Sequence, residues 1–158
     1  VDMTALCQKV AAQMTLLATD KKLQLKQEIQ DNLVMQGDEM ALSRLLIILL
    51  DNAMKYSPEQ TQITLRAAKV KTHLVLEVRD EGCGIGDEDK QKIFDRFFRV
   101  DKARSRSQGG LGLGLSLALA IVRQHQGSRQ QAAGNCHVCT ITDGCKVNFR
   151  LSCKLKLR

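Results

Sequence analysis

The sequence predicts a two-layer α+β domain, an antiparallel-rich sheet on one side and helices on the other. Three observations carry this expectation. Apolar residues recur at spacings of three and four along the first 22 residues and again along 38–56, the period of helices that bury one face. Other stretches alternate strictly. Leu74, Leu76 and Val78 stand against Val75, Glu77 and Arg79, while Cys145, Val147, Phe149, Leu151 and Cys153 stand against Lys146, Asn148, Arg150, Ser152 and Lys154, the mark of half-buried strands. Tight turns join these strands into hairpins, which pair antiparallel.

The first helix spans Thr4 to Lys22, with Leu6, Val10, Met14, Leu17 and Ala18 on its apolar face. Leu23 with Leu25, and Ile29 with Leu33 to Met35, read as two short strands closed by Gly37. Asp38 is placed to cap a long helix that runs to Tyr56, where Ser57-Pro58 ends it. Ile63 to Val70 and His73 to Val78 form a hairpin. Asp80 to Gly86 is a glycine-punctuated turn, Asp87 to Phe94 a short helix, and Asp95 to Gln108 a polar, basic loop. The last helix runs from Gly114 to Gln126 with Gly127 as its stop, and two strands follow over Cys136–Thr142 and Cys145–Leu155, turning at Asp143-Gly144.

The 158 residues fit a single domain over 1–158, large enough to bury a core. With four Phe and one Tyr, that core is expected to be aliphatic. Lys and Arg exceed Asp and Glu by 24 to 17, a formal +7 that suits an anionic ligand. Nucleic acid is not expected as a partner. The basic residues are scattered, and the one cluster, Arg96, Arg99, Lys102, Arg104 and Arg106, lacks interleaved aromatics for base stacking. The apolar runs are far too short for a membrane span and no signal pattern opens the chain, so no membrane contact by the chain itself is expected. Of six cysteines, Cys136, Cys139, Cys145 and Cys153 crowd the tail. The Cys136 to Cys139 spacing is that of half a zinc site, but no second pair accompanies it and the alternation around Cys145 and Cys153 favours small core residues. A metal- or redox-responsive interaction module built on these thiols remains the outlying alternative.

Four segments carry candidate chemistry. Leu49 to Tyr56 places Asn52, Lys55 and Tyr56 on one helix face, where an amide oxygen for hydrated Mg²⁺, an ammonium for phosphate and a flat ring for a base converge. The same residues also suit an ordinary exposed polar turn. Asp80-Glu81-Gly82-Cys83-Gly84-Ile85-Gly86 offers a carboxylate for an exocyclic amino group and backbone that passes close to a ring, or else a capped turn. Ile93 to Arg99 sets Phe94 and Phe97 ahead of the basic loop as hydrophobic hinges, or within a short amphipathic helix. Gly109 to Leu115 alternates glycine and leucine into a helix start, where bare amides and the helix dipole suit an anion. Its other reading is a buried turn packing helix on sheet.

In this order the four segments resemble the nucleotide-binding boxes of sensor histidine kinases, and the resemblance covers nearly the whole chain. It implies the Bergerat-type ATP-binding fold, a two-layer sandwich with a mixed, mostly antiparallel sheet. It further implies the catalytic and ATP-binding domain of such a kinase, with ATP and Mg²⁺ as cofactors. Asn52 would hold Mg²⁺, Lys55 would approach phosphate, and these two would be the catalytic residues. Tyr56 would pack near the adenine and Asp80 would read its amino group, with Gly82, Gly84, Ile85 and Gly86 lining the pocket. Phe94 and Phe97 would anchor a mobile lid over about residues 95–110, and Arg99 would face phosphate. Gly110, Leu111, Gly112, Leu113, Gly114 and Leu115 would wrap the triphosphate and start the last helix.

Two positions depart from the family's pattern. Ile48 stands where a second asparagine is usual, one helical turn before Asn52, and Leu111 stands where a hydroxyl residue is common between the first two glycines. Fold-sharing topoisomerase and mismatch-repair ATPases place a glutamate general base at the position of Ile48, so their hydrolytic mechanism is excluded here. The reaction implied is transfer of the ATP γ-phosphoryl group to a histidine, with a degenerate nucleotide-binding module of weak or no phosphotransfer as the alternative. His73, His125 and His137 all lack the phosphoacceptor context of the family and read as structural, His125 as a residue matching a helix C-terminal dipole. The acceptor is therefore expected on a separate dimerisation and phosphoacceptor helical domain of the same parent protein. By the same resemblance a response regulator lies downstream, the chain is a cytoplasmic domain of a membrane sensor, and the isolated domain is a monomer.

Overall fold

The computed structural model describes residues 1–70, 73–82, 88–89, 92–100, 110–125, 139–143 and 146–154, the last two stretches and His73 by their backbone alone. Helix α1 (Met3–Asp20) begins one residue before the expected start, because Asp2 caps it through a 3.0 Å bond from the Ala5 amide. Its Met3 amide, unpaired within the helix, donates to the Leu33 carbonyl, and the Thr4 hydroxyl both donates to Gln30 O and accepts from Leu33 N. The buried face of α1 is Leu6, Cys7, Val10, Ala11, Met14 and Ala18. Leu17, expected on this face, is exposed.

The first of the two expected short strands is a single strand, β1 (Gln24–Ile29), and the second is reduced to one bridge between Asp2 and Val34. Residues 33–35 spend their hydrogen bonds on the start of α1 instead. Helix α2 (Glu39–Tyr56) has Asp38 as its N-cap, as the sequence predicts, and ends where both the amide and hydroxyl of Ser57 bond to Ala53 O. Strands β2 (Gln62–Val70) and β3 (His73–Asp80) pair antiparallel with Val70 opposite His73. A 3-10 turn at Lys92–Phe94 is what the described residues retain of the expected helix over 87–94. Helix α3 (Gly114–His125) is followed by β4 (Cys139–Asp143) and β5 (Lys146–Lys154), again antiparallel. Gly127 lies outside the described residues.

The five strands lie in the order β1-β2-β3-β5-β4, with β1 parallel to β2 and every other pair antiparallel. This is the mixed, mostly antiparallel sheet of the expectation. Ile63, Leu65 and Ala67 of β2 and Leu74, Leu76 and Val78 of β3 face the helices and join Leu42, Leu45, Leu46, Leu49 and Leu50 of α2 and Ile121 and Val122 of α3 in one aliphatic core. The other sheet face is ionic. Glu28, Arg66, Glu77 and Arg150 occupy one register row across four strands, alternating in sign. Glu77 is 3.6 Å from Arg66 in this row and 3.1 Å from Arg79 two residues along its own strand, which lets a carboxylate only 8% exposed stay compensated. Lys26, 2.8 Å from Glu28, holds that carboxyl below the usual range by a hydrogen bond and by its charge. Cys7 is a fully buried thiol of the core, pushed up to about 12 by desolvation.

Candidate functional site

The site is assembled where the last turn of α2 meets the end of β3 and the start of α3. Asp80 closes β3 on the helix-facing side of the sheet, in the same alternation as Leu74, Leu76 and Val78, and is 2% exposed. Its Oδ1 accepts the Gly82 amide at 2.8 Å. Gly82 in turn lies on the end of α2. A Cβ there would stand 2.8 Å from both Asp80 Oδ1 and the Tyr56 carbonyl oxygen, so only glycine lets the chain pass. The sequence-predicted Asp80, Gly82 and Tyr56 are therefore neighbours. The Tyr56 side chain is exposed, and its backbone carbonyl is what meets Gly82.

Along the outer side of α2, Lys55 forms a 2.7 Å ion pair with Asp51 one turn earlier, and Asn52 is half-buried beside it. Across from them runs the glycine loop. Gly110 has φ +126°, and a Cβ there would lie 3.9 Å from Lys55 Nζ. A Cβ on Gly114 would lie 3.4 Å from Ile48, whose side chain packs against the core rather than turning to solvent. Lys55 thus faces the loop and Ile48 supports the first residue of α3. The loop positions differ among themselves, for Leu111 is exposed while Leu115 packs against the core.

Gly112 is fixed twice over. Its φ is +71°, and a Cβ would stand 2.8 Å from Phe98 O and 3.0 Å from Phe97 C. The Gly112 carbonyl accepts the Phe97 amide at 3.0 Å. Phe97 itself holds φ +66°, a strained conformation for a bulky residue, and its side chain is 68% exposed. Phe94 and Phe98 pack against the core, whereas Phe97 contributes its backbone to the junction. Arg99 is half-buried at the edge of this junction.

Gly84, Ile85 and Gly86 lie outside the described residues, as do 101–109, so only the two ends of the expected lid are placed. Cys136 and the side chains of Cys139, Cys145 and Cys153 also lie outside. Sequence reasoning missed two contributors. Asp51 carried a readable signal, four residues before Lys55 on a helix. Phe98 carried none that separates packing from function.

The arrangement offers a buried carboxylate that holds a glycine amide, an ammonium facing the glycine loop, and an amide side chain on the same last turn of α2 as that ammonium. These fit a nucleotide held base-first. The donor set fits Mg²⁺ as well, provided phosphates and waters complete its shell, since that ion keeps several waters and Asn52 is here the one neutral oxygen donor on this turn of α2. Ile48 cannot add a second.

Residues 37–155 match the family model described as histidine kinase-, DNA gyrase B-, and HSP90-like ATPase. Similar curated relatives include the sensor protein CiaH of Streptococcus pneumoniae, 51% identical over 69 residues that are 44% of this chain and 16% of that protein. The signal transduction histidine-protein kinase ArlS of Staphylococcus haemolyticus is 47% identical over 95 residues, 60% of this chain and 21% of that one. The sensor-like histidine kinase SenX3 of Mycolicibacterium smegmatis is 33% identical over 128 residues, 81% and 33% of the two chains. The chain thus spans a third or less of the length of these relatives. The fold is that of the catalytic domain of histidine kinase ThkA, with a TM-score of 0.81 at 22% identity over 98% of this chain and 93% of that one. The mycobacterial sensor histidine kinase MprB gives 0.74 at 23% identity over 98% and 95%. Among the described residues no helix is long and apolar enough to cross a membrane.

Proposed function

Because the chain belongs to the family of histidine kinase-, DNA gyrase B-, and HSP90-like ATPases, we propose that it binds Mg-ATP and donates the γ-phosphoryl group to a histidine on a separate dimerisation and phosphoacceptor domain. The observation that carries this reading is the convergence of Asp80, Gly82 and Tyr56 at one end of the site with Lys55 and Gly110 at the other. Asp80 accepts the adenine amino group while it keeps the Gly82 amide. Tyr56 covers the ring. Lys55 exchanges part of its pairing with Asp51 for phosphate oxygens, and the loop amides from Gly110 to Gly114 and the start of α3 take the remaining anionic charge. Asn52 would hold Mg²⁺ together with the phosphates, and the ion would supply charge neutralisation there.

Transfer then needs positioning more than chemistry from this chain. A nitrogen of the acceptor imidazole forms the new P–N bond, the bond from the γ-phosphorus to the leaving oxygen of ADP breaks, and the ring proton passes to solvent. Ile48, one turn before Asn52, cannot serve as a general base for water, which suits transfer over hydrolysis. The chain would serve as the cytoplasmic catalytic part of a membrane sensor signalling to a response regulator.

Ile48 favours a second reading. Its packing against the core removes a metal-orienting group from α2, which suits a module that binds nucleotide and transfers phosphate weakly or not at all. Incubation of the chain with γ-labelled ATP and a purified cognate hairpin separates the two. Label on the hairpin histidine supports the kinase, and saturable ATP binding without label supports the degenerate module.

A further inference from the structure

The C-terminal residue of α3 is tied to the N-cap residue of α2 by a contact between side chain and backbone across 87 positions. His125 Nε2 lies 3.0 Å from the Asp38 amide, and its Nδ1 lies 2.7 Å from Ile121 O. An amide can only donate. Nε2 therefore carries the lone pair and the ring hydrogen sits on Nδ1, where it donates to Ile121 O, so one neutral tautomer satisfies both nitrogens. The position before the cap is shaped to this ring. A Cβ on Gly37 would stand 2.7 Å from His125 Cδ2, 3.0 Å from Nε2 and 3.1 Å from Leu42 Cδ1, and Gly37 is not among the positive-φ glycines, so it is these side chains, the ring foremost, that exclude a Cβ there.

This contact completes the cap of α2. Asp38 takes the Ala41 amide through Oδ1, but its own N–H would ordinarily be taken by a Glu or Gln three residues on, as in a capping box. Position 41 is alanine, and His125 takes that N–H from the neighbouring helix instead. The two helices are thus pinned at one end. Eleven positions before His125, about 16 Å back along the axis of α3, Gly114 rests on Ile48 and Gly110 of the glycine loop comes near Lys55. Between these ends α3 meets the core through Leu115, Ala118, Ile121 and Val122, apolar contacts that resist separation and, being non-directional, set the position along the axis less sharply than a hydrogen bond does.

We infer that His125 is a positioning residue for the nucleotide site: by closing the Asp38 cap it fixes where α3 lies along α2, and so where the glycine loop meets Lys55. The nucleotide part of this inference rests on the function proposed above. The placement of α3 does not.

The test uses the chain with His125→Ala, His125→Gln, His125→Asn and Gly37→Ala, each read by hydrogen exchange without nucleotide and by Mg-ATP titration at a temperature where all are folded. His125→Ala and Gly37→Ala should speed exchange across 114–118, the far end of α3, and weaken Mg-ATP about fivefold, the scale of one lost hydrogen bond. Gln, whose Oε1 reaches the place of Nε2, should restore both readouts, and Asn, which stops short of it, should not. Faster exchange confined to 38–42 and 121–125 would overturn the inference, since a merely local cap ends there. Altered exchange at 114–118 with unchanged affinity would overturn its nucleotide part. If the unaltered chain takes up no ATP, the proposed function fails while the exchange data still decide the placement of α3. Should His125→Ala not fold, Gly37→Ala displaces the same ring with the histidine retained.

Discussion

The amide of Gly82 donates to Oδ1 of Asp80 at 2.8 Å, and the same glycine lies so close to the carbonyl of Tyr56 that no Cβ fits. One two-residue step past β3 therefore fixes the buried carboxylate and joins it to the end of α2. Gly82→Ala should force the turn away from Tyr56, costing about 1–3 kcal/mol as other overpacked sites do. Urea unfolding measures the cost, and Mg-ATP titration of the folded variant should show weakened binding.

Lys55 is paired to Asp51 while facing the glycine loop. The pair is a partly exposed i,i+4 contact, so Asp51→Asn should change stability by no more than about 0.5 kcal/mol. It should strengthen Mg-ATP binding a few-fold by releasing the ammonium, whereas Lys55→Ala weakens it. Calorimetric titration of both variants checks the sign.

Ile48 has been taken into the packing beneath Gly114. Ile48→Asn should therefore lose about 1–3 kcal/mol of stability, because a polar amide replaces an apolar group at a half-buried position. It should also raise the rate of label transfer to a cognate hairpin. An unchanged rate would mean that the second amide has no part in transfer in this chain.

Cys7 gives the stability a pH signature. Its folded pKa is raised from 9.0 to about 12 by burial, so below about pH 9 both folded and unfolded thiols stay protonated and contribute no slope. Between the two values only the unfolded thiol ionises, and stability falls by about 1.4 kcal/mol per pH unit. Cys7→Ala should remove this component from the alkaline limb of a urea-midpoint profile. Native Cys7 should also resist alkylation at pH 8 until the chain is unfolded.

The helices were legible because their signals are local. Asp38, Ser57-Pro58 and the three-and-four spacing place α2 at the bounds observed, and strict alternation places β3 and β5. The segment after α1 was less so. Residues 33–35 look like a strand by composition, but Met3 and Val1 compete for their backbone, a contact 30 residues away that no window contains. The candidate site followed the same division. Residue types at Asn52, Lys55, Asp80 and the glycines pointed to a nucleotide, whereas Phe98 in place of Phe97 as the packed ring depends on the left-handed turn at Phe97. The role of His125 depends on a partner 87 positions away.

The central claim is an adenine-nucleotide site with Asp80 at its base end and its metal beside Asn52. Calorimetric titration of ATP, with and without Mg²⁺, into the chain and its Asp80→Asn variant tests it most directly, with thermal melts confirming that both are folded. The account predicts saturable one-to-one binding that Mg²⁺ strengthens and that Asp80→Asn weakens at least about tenfold, as expected for losing a hydrogen bond to a charged group. Equal affinity in the two proteins, or no saturable binding to either, would contradict it.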